Sequence, residues 1–179
     1  MAPVRLAIVG AGIAARELHL PALARIPHAF EVVGVYSRSA ERARQLADRA
    51  GIPTVYPRLE DLLADDRVEA VDLCVPYYEN APLVEACAAA GKHVLVEKPV
   101  ADSMEEARRV ADAARRWGVT VMIGEQFRFR EDVRAARRLL AEGRIGEVRM
   151  ARHVRLGPVG RAYRGGWRFA EPRFVSYVL

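Results

Sequence analysis

Lysine is nearly missing from this 179-residue sequence: of its 28 basic side chains, only Lys92 and Lys98 are lysine. Arginine supplies the rest. With the abundant alanine, this points to a GC-rich genome rather than to a nucleic-acid surface. Cysteine occurs only at Cys74 and Cys87, in apolar segments and at a spacing that fits no metal motif. Two buried free thiols and no metal site are expected. No apolar run approaches the roughly 18 residues a transmembrane helix needs, so no membrane partner is expected. The N-terminus passes from Met1-Ala2-Pro3 straight into a strand-like run, without a signal-peptide pattern. The expected location is cytoplasmic.

What is present suits a folded domain. Hydrophobic residues make up 51% and charged residues 28%, which argues against disorder. Charge is uneven. Residues 1–125 carry 15 Lys and Arg against 18 Asp and Glu, whereas residues 126–179 carry 13 against 5. The arginines of the basic end are spread over a helix and strand-like segments, so nucleic acid is not the expected partner.

Short apolar runs alternate with helical stretches. Strands are expected at Val4–Val9, Phe30–Tyr36, Thr54–Tyr56, Ala70–Val75, His93–Val96 and Thr120–Ile123. Helices are expected over Ala14–Ile26 (kinked or split by Pro21), Glu41–Ala50 behind Ser39, Leu59–Ala64, Ala81–Ala90, Met104–Trp117 behind Ser103, and Glu131–Glu142. Six such strand–helix alternations predict an α/β fold, a doubly wound parallel sheet. From Glu147 to Arg155 polar and apolar residues alternate, the pattern of a half-exposed strand. The reading is a first domain over residues 1–125. Residues 126–179 read as the beginning of an α/β, mixed-sheet domain, incomplete at this length.

The first strand runs into Gly10-Ala11-Gly12-Ile13-Ala14-Ala15, a G-x-G-x-x-A turn opening a helix. Gly10 permits the tight turn, Gly12 lets backbone approach a pyrophosphate, and Ala15 keeps helix close to strand. Ile13 and Ala14 then offer first-turn N–H groups to phosphate. In this context the motif marks a dinucleotide-binding Rossmann domain. The second strand ends in Tyr36-Ser37-Arg38, where an NAD enzyme carries an acid for the ribose 2′-hydroxyl. Ser37, Arg38 and Arg42 suit a 2′-phosphate instead. NADP(H) is favoured, and NAD(H) stays open.

The fifth expected strand ends in Glu97-Lys98-Pro99, at the sheet edge where such folds bind ligands. There a lysine can hydrogen-bond a substrate hydroxyl or assist proton transfer. The runs Ala7–Gly12, Ala70–Pro76, Gly91–Pro99 and Gly146-Glu147-Val148 together resemble the glucose-fructose oxidoreductase, inositol dehydrogenase and rhizopine-catabolism family (Gfo/Idh/MocA). The resemblance implies hydride transfer between NAD(P) and a hydroxyl carbon of a sugar, inositol or related polyol, in a homo-oligomer. It implies a cis Lys98–Pro99 peptide and a catalytic Lys98 beside the nicotinamide. It further implies cofactor contacts from Val75, Pro76, Asn80 and Glu97, and from Trp167 and Arg168 in a Trp-Arg segment.

Asn80 stands where the family often has histidine, so it takes no acid–base role. The family's catalytic Asp-x-x-x-His follows the Trp-Arg segment, and this sequence ends at Leu179 about where it should begin. The expectation is a chain that binds dinucleotide without turnover. None of His19, His28, His93 and His153 matches the family's catalytic histidine, and each is expected in packing or at the surface. A non-catalytic dinucleotide sensor is the second reading.

Overall fold

Val4–Val9 forms the central strand β1, and its alternation explains the layers on either side. In the computed structural model, which describes residues 2–152 and 154, Leu6 to Val9 are all buried. Successive side chains of a strand point to opposite faces. Ile8 therefore packs with Ala15, Val35, Ala43, Leu46 and Cys74 on one face. Ala7 and Val9 pack with Leu62, Val71, Val84, Val94 and Val110 on the other. Both faces being covered, the strands read as apolar runs rather than alternating ones.

Two compact units divide the chain, Met1–Gly124 and Glu125–Leu179. The first holds five parallel strands: β1, β2 (Phe30–Tyr36), β3 (Ala70–Leu73), β4 (His93–Val96) and β5 (Val121–Ile123), in the order β2-β1-β3-β4-β5. Winding changes direction at β1, which pairs with both β2 and β3. Ligands of such sheets bind at the carboxyl ends beside this point.

The helices are α1 (Leu20–Leu23), α2 (Ala40–Ala50), α3 (Leu59–Ala64), α4 (Asn80–Ala89) and α5 (Met104–Trp117). Ser39 and Ser103 accept N–H bonds from Arg42 and Glu106, and left-handed Gly51 and Gly118 end α2 and α5. Pro21 does not split the first expected helix: helical backbone runs over residues 13–23, with Pro21 in the first turn of α1. Residues Ala15–His19 form a π turn in which the Leu20 N–H reaches back five residues to the Ala15 carbonyl, and α1 follows.

The third expected strand does not form. Thr54–Tyr56 makes a single bridge, Val55 to Val35, between Pro53 and Pro57, which have no N–H to extend a ladder. In the second unit, α6 (Glu131–Ala141) buries no residue, and Val133, Leu139 and Leu140 are exposed. The expected strand from Glu147 to Arg155 is not seen at residues 147–152 or 154, where no neighbouring strand pairs with the backbone. His153 and Arg155 lie outside the described residues.

Gly10 is irreplaceable on two counts. Its φ is +102°, and a Cβ there would fall on the Cys74 carbonyl oxygen. Gly10→Ala should lower the unfolding free energy by roughly 2–4 kcal/mol in denaturant melts, from left-handed strain and overpacking together. A loss below about 0.5 kcal/mol would contradict this packing.

Candidate functional site

The glycine turn is fastened at the carboxyl end of β1. The Gly10 N–H donates to the Tyr36 carbonyl at the end of β2, and the Arg16 N–H donates to the Gly12 carbonyl at 3.1 Å. A Cβ at Gly12 would meet nothing within 4 Å, so the backbone there faces open space. Ile13 is exposed and Ala14 half-buried, while Ala15 is fully buried against the sheet. This is a cradle a pyrophosphate fits: backbone without side-chain cover, leading into a helical N-terminus.

Beside it lies the end of β2. Ser37 accepts an N–H from Ser39 through Oγ at 3.4 Å. Arg38 is exposed, as is Arg42 in the first turn of α2. Arg38 donates to Glu79 Oε1 at 3.1 Å, across from the segment after β3. Glu79 was not anticipated from sequence, because its partner lies 41 residues away. Val75 and Pro76, half-buried, continue that segment. Trp167 and Arg168 lie outside the described residues.

The third part is the turn after β4. The Lys98–Pro99 peptide is cis. Glu97 Oε2 accepts the Lys98 N–H at 2.9 Å. Asn80, the first residue of α4, donates through Nδ2 to the carbonyls of Glu97 and Pro99, at 3.2 and 3.0 Å. Fully buried, it lies beneath the turn and braces both sides of Lys98. Its Oδ1 is buried with no hydrogen-bond partner in the structure.

Beneath Glu97 is a group that sequence reading missed. His19, carried on the π turn, bonds Asp72 Oδ2 through Nδ1 at 2.8 Å and Glu97 Oε1 through Nε2 at 2.9 Å. Its side chain is only 10% exposed, and that of Asp72 is fully buried. Cys74 Sγ donates to Asp72 Oδ1 at 3.7 Å. His19 is thus neither simple packing nor surface. His28 is exposed, and His93 Nδ1 accepts the Thr120 N–H.

The electrostatics follow from this geometry. Burial would lower the His19 pKa, but the hydrogen bonds to Asp72, Cys74 and Glu97 outweigh it and push the pKa up to about 12. Burial works to raise Glu97, but His19 and the Lys98 N–H hold it below the ordinary carboxylate range. Burial pushes the Cys74 thiol up to about 12, so it stays protonated. An unfolded histidine loses its proton near 6.5. The His19 contribution to stability is therefore full below that pH and declines as pH rises toward about 12. His19, Asp72 and Cys74 also offer ligand atoms within 4.8 Å of one another.

Comparison with known proteins adds the lineage. Residues 4–125 match the oxidoreductase family with an NAD-binding Rossmann fold, Gfo/Idh/MocA. The 1,5-anhydro-D-fructose reductase of Ensifer adhaerens is 36% identical over 98% of this chain and 52% of its own length. An oxidoreductase of Thermotoga maritima superposes with a TM-score of 0.77 at 41% identity, over 81% of this chain and 45% of that one. A 3-ketoreductase of Actinomadura kijaniata, solved with NADP and TDP-benzene, gives 0.73 at 33% identity, over 82% and 45%. The chain spans about half the length of the curated relatives it matches. With the glycine cradle and the Glu-Lys-Pro turn at the carboxyl ends of one parallel sheet, the chain belongs to the Gfo/Idh/MocA family of NAD(P)-binding oxidoreductases.

Proposed function

We propose that this protein binds NADP(H) in preference to NAD(H). In its full working form it transfers hydride between that cofactor and a hydroxyl-bearing carbon of a sugar, inositol or related polyol. The observation that carries the reading is the braced Glu97-Lys98-Pro99 turn after β4, in the same sheet edge as the glycine cradle. The NADP-bound 3-ketoreductase and the anhydrofructose reductase support cofactor and substrate class respectively. A cytoplasmic homo-oligomer is part of the same proposal.

The bound cofactor would supply or accept the hydride. The first-turn backbone N–H groups around Gly12 and Ala14 would hold its pyrophosphate. Ser37 and the Arg38 fork would meet the 2′-phosphate, for which the end of β2 offers no repelling acid. Val75 and Pro76 would wall the cofactor side. The Lys98 ammonium would donate to the substrate oxygen and hold the charge that develops there.

NADPH should bind more tightly than NADH in fluorescence titrations, and Arg38→Asp should reverse the order. Glu79 competes with the 2′-phosphate for Arg38. Glu79→Gln should therefore raise NADPH affinity by about two- to fivefold, the scale of an exposed ion pair, and leave NADH unchanged. Equal affinities in the unaltered protein, or equal gains for both cofactors in the variant, would contradict this assignment.

Lys98→Met should leave NADPH affinity within a few-fold, since the phosphate contacts lie elsewhere. In the form that turns over a polyol or sugar, the rate should fall by ~10²-fold or more. Near-normal turnover would remove Lys98 from the chemistry.

A further inference from the structure

His19 lies below the proposed reacting group yet takes no part in the hydride transfer just described. Both partners of its ring are carboxylates, which only accept hydrogen bonds. Both ring nitrogens therefore donate, and the ring is an imidazolium between Asp72 and Glu97. Asp72 is fully buried on β3, and among the described residues His19 is the cation that pairs with it. On the other side, Glu97 divides its carboxylate: Oε1 accepts from His19, and Oε2 accepts the N–H of Lys98. Glu97 also interacts electrostatically with the Lys98 ammonium. The titratable groups that meet His19 are thus Asp72 and Cys74 from the β3 segment, Glu97 after β4, and Lys98 beyond Glu97.

We propose that His19 is a positioning residue for Lys98. Acting through Glu97, it fixes the carboxylate in the orientation that takes the Lys98 N–H and limits its pull on the lysine ammonium; Asp72 fixes His19 in turn. This rests on the reading of Lys98 as the group that meets substrate. A rigid, doubly bonded Glu97 gives the lysine one backbone geometry and one electrostatic environment. Without the imidazolium, Glu97 loses its ionic partner and turns to the Lys98 ammonium, which then holds its proton more tightly and is drawn toward the sheet edge.

The scarcity of lysine makes this readable without turnover. Reductive methylation with ¹³C-formaldehyde labels only Lys92, Lys98 and the amino terminus. Lys92→Arg assigns the signals, and the Lys98 amine is titrated by NMR. His19→Gln should raise the Lys98 amine pKa by about half a unit or more. Asp72→Asn, which keeps every side-chain shape, should move it in the same direction by loosening His19, and serves alone if His19→Gln does not fold. In a Glu97→Gln background the Asp72→Asn and His19→Gln shifts should each shrink below about 0.2 unit, because the connecting carboxylate is gone. An unchanged Lys98 titration in both single variants would overturn the proposal. So would a shift that persists in the Glu97→Gln background, since that is direct repulsion between two cations, and so would a fall with Asp72→Asn, the sign of direct attraction to Asp72. The amine titration is separate from activity, so failure of Lys98 as a substrate-facing group would appear only in the turnover of Lys98→Met.

Discussion

A carboxylate inside a parallel sheet needs a cation on it, and His19 is that cation for Asp72. Transfer of an unpaired ionised group into a protein interior costs far more than any one contact returns. The chain meets the constraint with three elements. β3 supplies the anion. The π turn after the glycine motif widens one helical turn and carries the imidazole inward. The turn after β4 supplies a second carboxylate, so the ring is bonded at both nitrogens. The Glu-Lys-Pro turn is thereby tied to the glycine turn through a run of alternating charges. Asn80 ties it a second time from α4, by bonds to the backbone on either side of Lys98.

The glycine turn and the end of β2 obey a different rule, being open where the Glu-Lys-Pro turn is bonded. Gly12 faces space, and Arg38 stands in solvent with Glu79 as its counter-ion. An exposed pair of this kind contributes little to stability and exchanges readily for a stronger anion.

Much of this was legible locally. Gly10, Gly12 and Ala15 belong to one short motif, and Ser39, Gly51, Ser103 and Gly118 mark helix ends by their own backbone preferences. Non-local features were not legible in the same way. His19 meets partners 53 and 78 residues away, so no spacing rule finds them. A signal did exist, since an aspartate in the otherwise apolar Ala70-Val71-Asp72-Leu73-Cys74 is a buried charge asking for a partner. The Asn80 bonds to the carbonyls of Glu97 and Pro99 span 17 and 19 residues, so they too had no local signal. Thr54–Tyr56 has strand composition, but its flanking prolines leave room for one bridge.

The central claim is that His19 is a buried imidazolium joining the two turns. Nitrogen-15 spectra of histidine-labelled protein, recorded from about pH 6 to about pH 10, test it directly, because the two ring nitrogens report protonation separately. The account predicts that both nitrogens of His19 stay protonated across that range, each with a hydrogen-bonded proton resistant to exchange. A His19 ring that is neutral at about pH 8, with one nitrogen bare, would contradict it.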